Sequence, residues 1–154
     1  MIESLIPSRT AASRGFSGEA IAAAYGRPRE HGQVKLPPWI AQLSESERGE
    51  FRDRGRALLT VLLEHLDAAN PRQSGARLDD AANLAGEYGM RAAALGASLS
   101  ETVQGFLFFR APFIGELARQ AATRGLSTRE ATALLVRAEA AMDRLLSAVM
   151  NSFR

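Results

Sequence analysis

Residues 96–110 read Gly96-Ala97-Ser98-Leu99-Ser100-Glu101-Thr102-Val103-Gln104-Gly105-Phe106-Leu107-Phe108-Phe109-Arg110, and two features of this stretch decide the fold. Gly96 can take the left-handed conformation that ends one helix, and Ser98 with Glu101 three residues on forms a capping box that starts the next. Beyond the box, apolar residues recur at helical spacing. Val103, Phe106 and Leu107 lie seven, four and three residues before Arg110, and Phe113, Ile114 and Leu117 lie three, four and seven after it. That periodicity puts all seven side chains on one helix face, with an arginine in the middle of the apolar stripe.

Working outward, the same joint recurs at Gly125-Leu126-Ser127-Thr128-Arg129-Glu130. Short joints of this kind connect helices packed antiparallel or at a sharp corner, so the last three helices should form a compact unit. The helix between the joints is predicted over 99–124, with Pro112 removing a backbone donor and bending it. The final helix, 128–153, carries Ala131, Leu134, Leu135, Ala138, Met142, Leu145, Leu146 and Val149 on one face. The preceding one, 78–95, presents Ala81, Ala82, Ala85, Gly89, Ala92 and Ala93, small residues that permit close helix approach. Ser44 and Glu47 form another capping box, opening a helix to about Ala69 with Phe51, Leu58, Val61, Leu62 and Leu66 inward; Asn70-Pro71 reads as its stop. Pro37-Pro38-Trp39 marks an extended segment or short turn, Gly18 to Tyr25 a short helix, and residues 1–15 a flexible tail before a single helical domain over 16–154. No stretch alternates with period two, so the fold class is all-α, a compact bundle of five to six helices.

Composition narrows the chemistry. The chain has 154 residues, 46% hydrophobic and 23% charged, enough to bury a substantial core in one domain. Its 19 basic residues are spread along the chain and offset by 17 acidic ones, which gives no footprint for nucleic acid. No cysteine is present, which excludes disulfides, thiolate catalysis and cysteine-ligated zinc. The absence of a long apolar run or a secretory core predicts a cytoplasmic protein with no membrane partner. Glycine-rich phosphate loops, nucleophile elbows and HExxH motifs are all missing, so no enzyme, cofactor or metal is expected.

Arg110 is the site that the sequence singles out. A buried arginine needs a carboxylate or a route to water. If the last two helices fold back about the joint, the position opposite falls near 142 or 143, making Asp143 the first candidate partner, Glu139 the next and Glu87 the third. The functional alternative has Arg110 binding an anionic ligand bidentately, in a cavity shared with Phe106, Phe109, Phe113 and Tyr88. Phe108 and Phe109 lie off the Arg110 face, so the helix is apolar nearly all round: central, or part of an interface in a symmetric dimer. His65 reads as a hydrogen-bonded residue at the core edge, and His31 is the other histidine. The run Glu45, Glu47, Arg48, Glu50, Arg52, Asp53, Arg54, Arg56 reads as a solvated helix face with short-range pairs.

Over 87–153, the pattern Glu87-Tyr88-Gly89, Gly96-x-Ser98-Leu99-x-Glu101 and Phe106-Leu107-Phe108-Phe109-Arg110 resembles the N-terminal domains of RsbR and RsbRD-type stress regulators, the stressosome co-antagonists. The resemblance implies a globin-like helical fold without haem, dimeric, serving as a non-enzymatic sensory or regulatory input to a signalling partner or output domain. In such regulators the last helix leads into an output domain, whereas this sequence ends at Arg154; a fragment and a stand-alone member both fit. The alternative function is a binding protein for an anionic or amphipathic small molecule.

Overall fold

The computed structural model describes residues 37–153. Five helices follow in order: α1 (Pro38–Ala41), α2 (Glu45–Asp67), α3 (Pro71–Ala94), α4 (Leu99–Thr123) and α5 (Thr128–Ser152). No strand occurs among the described residues, and the all-helical bundle holds. The tail over 1–15, the short helix over 18–25 and His31 lie outside the described residues.

Capping chemistry sets the boundaries. Ser44, Ser98 and Ser127 each accept from the backbone N–H three residues on, and Glu47, Glu101 and Glu130 return the bond to the N-cap N–H. Each box satisfies two donors that a helix start leaves without intrahelical partners. At the other ends, Gly96 (φ 91°) and Gly125 (φ 72°) hold the left-handed conformation. Around the first, the N–H of Ala97 reaches back to the Ala92 carbonyl at 3.0 Å and that of Gly96 to Ala93 at 3.0 Å, the paired bonds of a Schellman turn; Leu126 and Gly125 repeat it on Ala121 and Ala122.

Two expectations are corrected. Asn70-Pro71 does not only stop α2; it starts α3, seven residues before the predicted Leu78. Asn70 is an N-cap whose side chain accepts from the Gln73 N–H at 2.9 Å, and Pro71 occupies the first turn, where its missing N–H costs nothing. The stripe of α4 is also rotated from its predicted centre. Thr102, Phe106, Phe113, Glu116, Leu117 and Gln120 are buried, while Leu107 is 45% exposed and Arg110 sits on the flank. The helix runs unbroken through the buried Pro112.

Helix directions follow from residue pairs. α2 and α3 are antiparallel, since Glu50 meets Arg91 at one end and His65 meets Ser74 at the other. α4 and α5 are antiparallel about the Gly125 joint, with Arg110 opposite Asp143. α3 and α5 run the same way: Asp79 meets Arg144, and Gly89 lies against Val149 and Ser152. These two helices pack directly because α3 offers Ala81, Ala82, Ala85, Gly89 and Ala92 as its buried face. The main core cluster includes Leu62, Leu66, Phe106, Phe113, Leu117, Met142, Leu145 and Val149, and a smaller one gathers Trp39, Ala92 and Ala97. Small side chains thus draw α3 and α5 together. α2 and α4 stand farther apart, and the space between them is the cavity described next.

Candidate functional site

A cavity of about 580 Å³ lies between α2 and α4, closed at its sides by α1 and α3. Its wall is aromatic and aliphatic: Phe51, Leu58 and Leu59 from α2, Leu84 and Tyr88 from α3, Phe106, Phe108 and Phe109 from α4, and Ile40 from α1. Two glycines make the room. Gly55 faces Phe109, whose ring would stand 3.6 Å from an added β-carbon, and Gly105 lets the Tyr88 hydroxyl and Trp39 approach α4, where a β-carbon would press on both.

The wall is fixed by two polar tips, that of Tyr88 in it and that of Trp39 packed behind Phe51. The Trp39 indole N–H donates to the Glu101 carbonyl at 2.7 Å, and the Tyr88 hydroxyl donates to the Thr102 carbonyl at 3.0 Å. Phe51 stands edge-on between them, with ring centroids 5.6 Å from both Trp39 and Tyr88. Burial pushes the Tyr88 phenol well above its ordinary pKa, so it stays a neutral donor at any physiological pH. Both tips are therefore spent on backbone.

Four arginines of α2 also line the cavity: Arg48, Arg52, Arg54 and Arg56. Two of them hold the frame. Arg48 donates to the carbonyls of Leu43 at 2.6 Å and Ala41 at 3.2 Å, and Arg54 pairs with Glu50 at 3.2 Å and Glu87 at 3.5 Å. Arg52 and Arg56 are exposed, and neither guanidinium has a hydrogen bond or ion pair among the described residues.

Glu50 is the electrostatic hub beside this wall, bonded by Arg91 Nε at 2.8 Å and Nη2 at 3.0 Å as well as by Arg54. The Arg91 hydrogen bonds, helped by Arg54, outweigh the desolvation cost and hold its pKa below the ordinary 4.5. A depressed carboxylate contributes stability above its unfolded pKa and loses it as pH falls through the folded value. Glu50→Gln is accordingly expected to lower the urea midpoint slightly at pH 7, and the gap from the parent should close as pH falls through the depressed Glu50 pKa.

The sequence-singled residues fall in two groups. Tyr88, Phe106 and Phe109 line the cavity; Arg110 and Phe113 are not among its lining residues. The Arg110 guanidinium places Nη1 3.1 Å from Asp143 Oδ1 and Nη2 3.2 Å from Glu139 Oε1, with its own side chain 19% exposed. Glu87 meets Arg54 instead. Phe113 is fully buried in the core. His65 is buried, its Nδ1 donating to the Ser74 carbonyl at 2.7 Å across the turn between α2 and α3, and no group of metal-ligating residues occurs among the described residues.

Sequence reasoning missed three things here. The position of the cavity, between α2 and α4 and not around Arg110, depends on helix spacing, which periodicity does not report. Arg52 and Arg56 were absorbed in a charge run. Glu116 is buried on α4 with its carboxylate bonded by Arg119 and by Gln120 at 3.2 Å; only its register, three after Phe113, marked it as inward.

The class that fold and site define is an all-α helical domain whose polar tips are spent on its own backbone beside an apolar cavity with a cationic edge. The chain belongs to the family of the RsbT co-antagonist protein rsbRD N-terminal domain, whose model matches residues 29–154. It is thus a domain of a regulatory, stress-response signalling family. No curated protein and no solved structure matches it. No helix among the described residues is long and apolar enough to cross a membrane.

Proposed function

We propose that this domain is a non-enzymatic sensory input module of bacterial stress signalling, acting in the cytoplasm through a homodimer on a partner protein or output domain. The family match across 29–154 carries the reading. Leu107 on α4 and Val136 on α5, 45% and 61% exposed, supply apolar surface for a second copy. Sedimentation velocity over a concentration series tests it: a dimer that Leu107→Glu or Val136→Glu dissociates is expected, and a strict monomer at high concentration overturns the dimer.

A second reading, a binding protein for an anionic or amphipathic small molecule, is favoured by the cavity, with Tyr88, Phe106 and Phe109 at the ligand. In this reading Arg110 works as a strut between α4 and α5. Its carboxylate partners are 48% and 72% exposed, so each contact is screened and Arg110→Ala is expected to cost about 1 kcal/mol, mostly lost stem packing. Chemical denaturation measures the cost; unchanged stability with lost ligand binding would instead return Arg110 to the ligand site.

A further inference from the structure

We propose that the cavity between α2 and α4 binds an amphipathic carboxylate, with Arg52 and Arg56 holding the anionic head and the aromatic wall holding an apolar body. The inference rests on the small-molecule reading above and adds to it the ligand's chemistry and the residues that recognise it.

The body must be apolar because the interior offers nothing to a polar one. The Tyr88 donor is satisfied by a backbone carbonyl, and the remaining uncharged lining is Phe, Leu, Ile, Ala and Gly. A sugar, nucleotide or dicarboxylate would bury polar groups with no partner. The cavity's 580 Å³ is in the range that encloses a small ligand.

The head must be anionic because of how α2 is charged. Arg48, Arg52 and Arg56 repeat every four residues and so lie along one helix face, an arrangement that like-charge repulsion disfavours. Arg48 is occupied by the Ala41 and Leu43 carbonyls, which leaves Arg52 and Arg56 as adjacent guanidinium groups with no bond among the described residues. Both line the cavity and both are exposed, so they mark its mouth. Two guanidinium forks one helical turn apart suit a carboxylate, which accepts bidentately, and they repel a cationic head. An alkyl acid and an aryl acid share this chemistry.

The test titrates the full chain with decanoate, 2-naphthoate, decanol and decylamine, reading the fluorescence of Trp39, the sole tryptophan, which packs on Phe51 of the wall. Decanoate or naphthoate is expected to bind at least tenfold tighter than decanol and decylamine; the tighter acid identifies an alkyl or an aryl source. Arg52→Gln with Arg56→Gln should weaken the acid at least tenfold and leave decanol unchanged, and circular dichroism should show the fold intact, because both side chains are exposed. Gly55→Leu, which sends a side chain toward Phe109, should block acid and alcohol alike. Equal binding of decanol and decanoate would overturn the carboxylate assignment while keeping the cavity as a binding site. No binding by any of the four would overturn both the assignment and the small-molecule reading.

Discussion

Gly89→Val is expected to destabilise the domain by about 3 kcal/mol, at the upper end of what overpacking a helix interface costs. A β-carbon at Gly89 would stand 2.7 Å from the Val149 carbonyl oxygen and collide with the Ser152 hydroxyl. The hydroxyl can swing away, although it gives up its 2.9 Å bond to the Val149 carbonyl. The carbonyl cannot, because it belongs to the backbone of α5. Relief therefore requires α5 to move off α3, which loosens the contacts of fully buried Val149, Leu145 and Ala85 together. Valine recovers a few tenths of a kcal/mol of helix propensity relative to glycine, too little to change the sign. Urea denaturation reads the cost, and Gly89→Ala should fall between the parent and the valine variant. A midpoint unchanged in both would show that the spacing of α3 and α5 is not set by this glycine.

Much of the architecture was legible because it is written in local chemistry. The three Ser-to-Glu boxes and the two left-handed glycines are short-range devices, and the structure realises each at the predicted residues. Asn70-Pro71 was harder because the same dipeptide can close a helix or open one: asparagine is a good N-cap and proline suits the first turn. The choice was settled by Gln73, whose N–H the Asn70 side chain accepts. On α4, counting outward from Arg110 made it the centre of the stripe, yet Leu107 is exposed and Arg110 lies on the flank. An amphipathic stripe is wide, and a long side chain can extend its charge to the edge of the core while its stem packs inside. A cavity at Tyr88, Phe106 and Phe109 was read from the sequence, but its place between α2 and α4 was illegible for a different reason. It exists because glycine and alanine on α3 bring α5 close and leave α2 and α4 apart, a relation among four helices that no single helix encodes. The arginines at its mouth do lie on a solvated face, as their run of charges indicates, but the run does not show that Glu50 is taken by Arg54 and Arg91.

The same spacing argument makes two phenylalanines of one helix unequal. Phe113→Ala is expected to cost about 4–5 kcal/mol and Phe106→Ala about 3 kcal/mol, a difference well outside the error of matched denaturation curves. Both rings are buried, at 0% and 2% exposure, and both belong to the main core cluster. They differ in what surrounds them. Phe113 is not among the cavity-lining residues, so its removal leaves a void whose neighbours have already packed against the ring. Phe106 lines the cavity with one side of its ring, and its contact with Phe109, at a centroid distance of 6.0 Å, runs along the same wall. Part of its surface already lacks dispersion partners, so less is lost when it goes. The Phe106 variant also enlarges the cavity beyond 580 Å³, and it should bind a bulkier apolar body than the parent does. Equal costs for the two substitutions would mean that the space between α2 and α4 is filled in solution.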